Sequence, residues 1–141
     1  MTSEHGADMA LTPIGRVVSA LADPEVAPRQ ADEGAPPASI VLEPAVRGAA
    51  ADISPGDRLL VLTWMHLADR TTLRVHPRGD QERPPTGVFS TRSPDRPNPI
   101  GLHRVTVLEV DGTRVRVRDL EAIDGTPVLD VKPVLRSVGE R

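Results

Sequence analysis

The sequence contains no cysteine, and its aromatic residues are limited to Trp64 and Phe89. Without cysteine there is no disulfide, no thiolate nucleophile and no zinc–sulfur site. Because aromatic residues are so few, the core must be aliphatic, and the aromatic platforms on which single-stranded RNA bases stack are not visible. At 141 residues, the chain is nevertheless long enough to bury the core of one domain.

Long apolar runs and targeting signals are also absent. No run approaches the roughly 18 residues of a membrane span, and residues 1–10 lack the basic and then apolar pattern of a signal peptide. We therefore expect a cytoplasmic protein with no membrane partner. The four histidines are scattered without the spacing of metal ligands, so we expect no metal site.

Short apolar segments separated by turn residues predict an all-β fold, a barrel or sandwich, and we favour a small single-domain β-barrel with long proline-rich loops. Asp111-Gly112 between two β-rich runs predicts a hairpin. We expect a disordered tail at residues 1–11, the barrel domain at 12–135 and a frayed C-terminus at 136–141. The predicted strands lie at residues 13–19, 39–42, 58–65, 71–75, 87–89, 103–110, 113–118 and 128–131.

The segment at residues 87–101, GVFSTRSPDRPNPIG, is the most distinctive stretch and is called the proline segment below. Three prolines within six residues nearly exclude a helix or a central strand. The segment should therefore be a stiff, extended loop that presents Arg92, Arg96 and Asn98 in fixed directions. Such rigidity is typical of a preorganised binding site, and the alternative is a structural turn with solvated arginines.

Charge is unevenly distributed along the chain, which carries a net charge of −3. Residues 1–57 hold three arginines against nine acidic residues, whereas residues 70–104 hold seven arginines against three. A local basic patch is therefore expected around the proline segment. From the residues alone, this predicts a site for an anionic or zwitterionic small molecule whose carboxylate an arginine binds through two hydrogen bonds.

The string TRSPDRPNPIG at residues 91–101 closely resembles the signature loop of the TsaA-like, or TrmO-type, family. These enzymes use S-adenosylmethionine to N6-methylate threonylcarbamoyladenosine in tRNA. The resemblance covers roughly residues 12–133 and implies a single β-barrel that forms a homodimer, with the cofactor near the subunit boundary and tRNA as a partner. The chain ends at Arg141, shortly after Lys132-Pro133, so we expect it to lack the small C-terminal domain of longer bacterial members.

The resemblance also implies the site residues. Arg92, Asn98 and Asp124 are expected to act in catalysis: Arg92 would grip a carboxylate of the cofactor or of the substrate, Asn98 would orient the acceptor, and Asp124 or Glu121 would help to remove a proton. The expected cofactor contacts are Pro28, Arg29, Gln30, His66, Leu67, Arg92, Leu102, Glu121 and Asp124.

Several alternatives remain open at the level of sequence. Glu121 and Asp124 are equally suited to capping their loop through backbone N–H groups. His66 is also compatible with a hydrogen-bonded structural role, and residues 28–30 with a solvated turn. The protein as a whole is compatible with a methyltransferase that acts on a small molecule, or with a non-catalytic β-barrel that binds a small ligand.

Overall fold

The computed structural model describes residues 9–20, 36–77 and 80–136. The described part contains two 3-10 helices, Pro44–Ala50 and Val88–Ser90. No helix within it is long and apolar enough to cross a membrane. Its strands are β1 (Gly15–Val18), β2 (Ala38–Leu42), β3 (Arg58–Trp64), β4 (Arg74–Val75), β5 (Thr86–Gly87), β6 (Ile100–Asp111), β7 (Arg114–Arg118) and β8 (Pro127–Pro133).

Six of these strands close into an antiparallel barrel in the order β1-β2-β7-β6-β3-β8, and β8 pairs back with β1. The short strands β4 and β5 form a separate two-stranded sheet. The predicted all-β fold is therefore confirmed, as is the hairpin between β6 and β7, where Gly112 adopts a positive φ of 62°. The predicted domain limits stay predictions, since most of residues 1–11 and 136–141 lie outside the described residues.

The main departure from the predicted strands concerns β6, which begins at Ile100 inside the proline segment. Ile100 and Gly101 pair with Trp64 and Thr63 of β3, so the ladder runs to the very end of that strand. The backbone therefore leaves the last proline and enters the barrel wall directly. This connection fixes one end of the proline segment to the barrel. Around β5 the predicted strand 87–89 is shorter, because Val88–Ser90 turns into a 3-10 helix.

The barrel core is aliphatic, as the composition predicts. Burial on β3 alternates strictly, so Leu59 and Val61 are buried while Leu60 and Leu62 on the outer face are half-buried. The buried core cluster consists of Val17, Ala38, Ile40, Leu42, Leu59, Val61, Val105, Val107, Val115, Val117, Leu120, Ala122 and Val128.

The barrel interior turns polar at one end. Along β3 the inward positions Leu59 and Val61 are followed by Thr63, and along β6 the inward position Val105 is preceded by His103. Because β3 and β6 are antiparallel neighbours, the end of one strand and the start of the other lie side by side. The two polar side chains are thus brought to the same end of the barrel, next to the proline segment.

Candidate functional site

An open groove of about 1280 Å³ lies at this polar end of the barrel. The proline segment forms one wall from Ser90 to Asn98, and the start of β6 continues it. Residues 121–123 and Thr126, from the loop between β7 and β8, form another part of the lining. Arginines outnumber acidic residues in the lining, which agrees with the basic patch expected from the sequence.

Arg70, in the loop after β3, holds the proline segment against the barrel. Its guanidinium lies 4.9 Å from the ring centroid of Trp64. Nε donates to the carbonyl of Pro97 at 2.7 Å, and Nη2 donates to Oδ1 of Asn98 at 3.0 Å. Because the Asn98 carbonyl oxygen accepts this bond, the amide NH2 is the group left to donate to a ligand.

A second connection joins the same loop to the proline segment through two aspartates. The backbone N–H of Asp69 donates to Asp95 Oδ1 at 2.8 Å. Asp69 Oδ1 in turn accepts bonds from the hydroxyl and the backbone N–H of Thr71, at 2.6 and 2.7 Å. These bonds lower the pKa of the Asp69 carboxyl, because they favour its ionised form.

The two arginines of the proline segment differ in what they contact. Arg96 Nη1 donates to the carbonyls of Thr91 and Ser93 at 3.1 and 3.0 Å, so it stabilises the loop from within. Arg92 is exposed, lines the groove, and has no hydrogen bond or ion pair with any described residue. Arg92 is therefore the guanidinium of this segment that is free to bind a ligand.

A chain of three polar side chains forms the part of the lining nearest the core. Thr63 Oγ1 lies 2.8 Å from His103 Nε2, and His103 Nδ1 lies 3.1 Å from Glu121 Oε1. Thr63 and His103 are buried, and the Glu121 side chain is 17% exposed. The second carboxylate oxygen, Glu121 Oε2, is buried without a hydrogen-bond partner, the one such side-chain atom found among the described residues.

Gly101 leaves the space that the hydrogen-bonded side chains of Thr63 and His103 occupy. A Cβ at Gly101 would lie 2.7 Å from His103 Nε2 and closer still to Thr63 Oγ1 and the methyl of Met65. Any larger residue at this position would therefore push into the Thr63–His103 contact. The last glycine of the proline segment is explained by this side-chain packing, since its φ is not in the left-handed region.

Five of the predicted site residues line the groove together. They come from three parts of the chain: the loop after β3, the proline segment with β6, and the loop after β7. The five are Leu67, Arg92, Asn98, Leu102 and Glu121. Their roles stay predictions, but the structure places them around one cavity.

The other predicted site residues lie elsewhere. His66 is exposed and does not line the groove. It makes no hydrogen bond to any described residue, whereas a structural histidine is expected to make one. Asp124 Oδ1 accepts a bond from the backbone N–H of Ser19 at 3.0 Å, which is a structural contact with the end of β1 and not a cap within its own loop. Pro28, Arg29 and Gln30 lie outside the described residues.

Sequence reasoning missed Thr63, Arg70, Gly101 and His103 as parts of the site. The residues that meet here are far apart in sequence: 40 positions separate Thr63 from His103, and 28 separate Arg70 from Asn98. One signal was available, because Thr63 and His103 fall on the inward parity of two strands whose other inward residues are aliphatic. A buried polar residue on such a face requires a partner.

Comparisons with known proteins agree on one family. Residues 16–139 match the model of the tRNA-methyltransferase O N-terminal domain. The chain is 40% identical over 131 residues to a probable S-adenosyl-L-methionine-binding protein of Methanothermobacter thermautotrophicus, covering 93% of each chain. It is 44% identical over 124 residues to an S-adenosyl-L-methionine-binding protein of Archaeoglobus fulgidus, covering 88% of each.

A solved structure shows the same fold. The crystal structure of TrmO from Pseudomonas aeruginosa matches with a TM-score of 0.71 and 26% sequence identity. The match covers 94% of this chain and 60% of the Pseudomonas chain. This chain thus spans about three-fifths of that protein.

Proposed function

Because the chain belongs to the family of the tRNA-methyltransferase O N-terminal domain, we propose that it is an S-adenosylmethionine-dependent methyltransferase whose cofactor binds in the groove. We further propose that the acceptor is N6 of threonylcarbamoyladenosine at position 37 of tRNA, which would place the protein in the cytoplasm. The observation that carries the proposal is the arginine- and asparagine-bearing proline segment, which Arg70 holds by hydrogen bonds and which forms one wall of the groove.

The groove suits a zwitterionic nucleoside cofactor. Its volume of about 1280 Å³ exceeds the roughly 300–1,000 Å³ of common ligand pockets, so it has room for the cofactor and for part of an acceptor. Leu67 and Leu102 present exposed apolar surface beside it, which suits a purine ring. The unpaired Arg92 suits a carboxylate, and the unpartnered Glu121 Oε2 suits an O–H or N–H donor.

When bound, S-adenosylmethionine would supply an electrophilic methyl group. The task of the protein is to hold the acceptor nitrogen in line, with the reacting atoms about 3–3.5 Å apart and water excluded. We assign Arg92 to a carboxylate of the cofactor or of the threonyl group, and the Asn98 amide NH2 to an acceptor oxygen. Both side chains start from the stiff proline segment, so little conformational freedom is lost on binding.

Glu121 is favoured over Asp124 as the carboxylate that contacts the bound ligand. Glu121 lines the groove and keeps one oxygen without a partner, whereas Asp124 is exposed, lies outside the lining and already binds Ser19. Asp124 is then assigned a supporting role, fixing the loop that carries Glu121 against the end of β1. The two carboxylates weighed in the sequence are thereby given different roles.

A homodimer is part of the proposal. Ile100 and Leu102 are more than 40% exposed, at 42% and 45%, and they pair across the ladder with Trp64 and Leu62 on the same outer face. Ile100 and Leu102 also border the groove, so a second copy packed on this apolar patch would extend the cofactor site. Light scattering should give a dimer mass, and Leu102→Glu should shift the protein to a monomer.

Calorimetry with S-adenosylmethionine tests the cofactor assignment. The wild-type protein should bind with measurable heat, and Arg92→Ala should weaken binding about ten-fold or more, as expected for the loss of a charged hydrogen bond. Arg47→Ala is the matched control, because Arg47 is an exposed arginine that does not line the groove. Native affinity in Arg92→Ala would remove the assignment of Arg92 to a cofactor carboxylate, and absent heat in the wild type would point to another ligand.

The acceptor is tested with tRNA. Purified protein and S-adenosylmethionine should convert threonylcarbamoyladenosine in tRNA to its N6-methyl form, detected by nucleoside mass spectrometry, and a deletion strain should lack that nucleoside. If the nucleoside level is unchanged while the cofactor still binds, the acceptor is a small molecule instead.

A further inference from the structure

Thr63, His103 and Glu121 form a hydrogen-bonded chain of polar side chains at the end of an otherwise aliphatic barrel core. Its members come from β3, β6 and the loop after β7, and all three contribute to the groove lining. Aliphatic residues fill the neighbouring inward positions, so a polar chain here is a departure from the core pattern. Burial of a polar chain is costly unless it is satisfied, and this one ends on a carboxylate oxygen without a partner.

Hydrogen-bond chemistry identifies the donor in the contact between His103 and Glu121. An ionised carboxylate can only accept, so His103 Nδ1 carries the proton that it shares with Glu121 Oε1. Nε2 of His103 and the hydroxyl of Thr63 share the second hydrogen bond, in which the hydroxyl can either donate to the ring or accept from it. Both ring nitrogens of His103 therefore take part in hydrogen bonds, and these two bonds fix the orientation of the ring.

We propose that His103 is a positioning residue, which holds the Glu121 carboxylate so that Oε2 receives an O–H or N–H donor from the bound nucleoside ligand. The inference rests on the proposed function, because it places that ligand in this groove. Thr63 contributes indirectly, because it orients the His103 ring, which in turn orients the Glu121 carboxylate. Gly101 allows the arrangement by leaving room above the Thr63–His103 contact.

Glu121 needs such a partner because no strand holds it. It lies in the irregular stretch between β7 and β8, and its side chain has three rotatable bonds. Besides His103, no described residue makes a hydrogen bond or ion pair with its carboxylate. Preorganisation of the acceptor oxygen therefore depends on one imidazole, and loss of that contact should raise the cost of ordering Glu121 when the ligand binds.

Two substitutions at His103 separate positioning from simple packing. The amide NH2 of His103→Asn takes the place of Nδ1 and can still donate to Glu121, whereas the longer His103→Gln reaches the place of Nε2 and keeps the Thr63 contact instead. Calorimetry with S-adenosylmethionine should therefore show near-native affinity for His103→Asn and an affinity about ten- to a hundred-fold lower for His103→Gln. Chemical unfolding of both variants supplies the measure of packing.

The outcomes are distinct. Weak binding by His103→Gln with rescue by His103→Asn supports the inference, provided that the two variants unfold at similar denaturant concentrations. Equal affinities in the two variants, or losses of affinity that simply follow stability, overturn it. If His103→Gln does not fold, Thr63→Val provides the second test, with weaker binding expected and native affinity as the contrary result. Absence of binding by the wild type would instead refute the proposed function.

Discussion

Gly101→Ala is the substitution whose effect follows most directly from the structure. The added Cβ would lie 2.7 Å from His103 Nε2 and 2.5 Å from the Met65 Cε, with Thr63 Oγ1 nearer still. The Met65 side chain is flexible and can move away. Thr63 and His103 cannot, because they are buried and bonded to each other. The substitution should therefore break the Thr63–His103 hydrogen bond.

The expected loss of unfolding free energy in Gly101→Ala is the sum of three contributions. Overpacking a buried site typically costs about 1–3 kcal/mol, and loss of the hydrogen bond adds about 1 kcal/mol. Replacement of a strand glycine by alanine returns about 0.5–1 kcal/mol, because the unfolded chain has less freedom to lose. The net loss of unfolding free energy should be about 2 kcal/mol, which for a domain of this size lowers Tm by about 8 °C.

Denaturant unfolding of Gly101→Ala measures this loss. Gly48→Ala is the matched control, because a Cβ at Gly48 meets no atom within 4 Å, and it should be neutral or slightly stabilising. Thr63→Ala introduced beside Gly101→Ala should remove part of the clash, so the double variant should lose less than the sum of the singles. A Gly101→Ala protein within about 0.5 kcal/mol of wild type, the usual range of neutral surface changes, would show that Thr63 and His103 can move aside for the added methyl group.

Three further predictions concern the segments around the groove. Arg70→Met removes both bonds to Pro97 and Asn98, so hydrogen exchange in the proline segment should accelerate, and unchanged exchange would show that the prolines alone fix it. Hydrogen bonds lower the pKa of Asp69, so its contribution to stability is present above its unfolded-state pKa and is lost as pH falls through the folded pKa. Asp69→Asn should therefore be less stable than wild type near neutral pH and should lose less stability on acidification. Urea unfolding midpoints measured across pH test this. Asp119 adopts a positive φ of 71°, so Asp119→Val should cost about 1–2 kcal/mol in thermal unfolding while Asp119→Gly costs none, and equal effects would contradict a left-handed requirement.

The fold was largely predictable, because strand and turn signals are local. The alternation of β7 and the glycine of the β6–β7 hairpin are visible in short stretches of sequence, and the hairpin forms where expected. The start of β6 was not predictable in this way. Proline chemistry argues against a strand there, but pairing of Ile100 with Trp64 outweighs it, and that pairing depends on residues 36 positions away.

The proline segment of the site was predictable from the sequence, whereas the hydrogen-bonded side chains nearest the core were not. The stiffness of the proline segment and the presence of Arg92 and Asn98 can be read from 15 consecutive residues. The different roles of Arg92 and Arg96 cannot, because they depend on which carbonyl groups the folded loop turns toward Arg96. The contact between His103 and Glu121 requires the closed barrel, which brings β6 beside the loop after β7.

A crystal structure of the protein grown with S-adenosylmethionine would show where the cofactor binds. We expect ligand density in the groove between the proline segment and residues 121–126, with a carboxylate near Arg92 and a hydroxyl or amine on Glu121. Density lodged elsewhere on the barrel, with the groove unchanged, would contradict it.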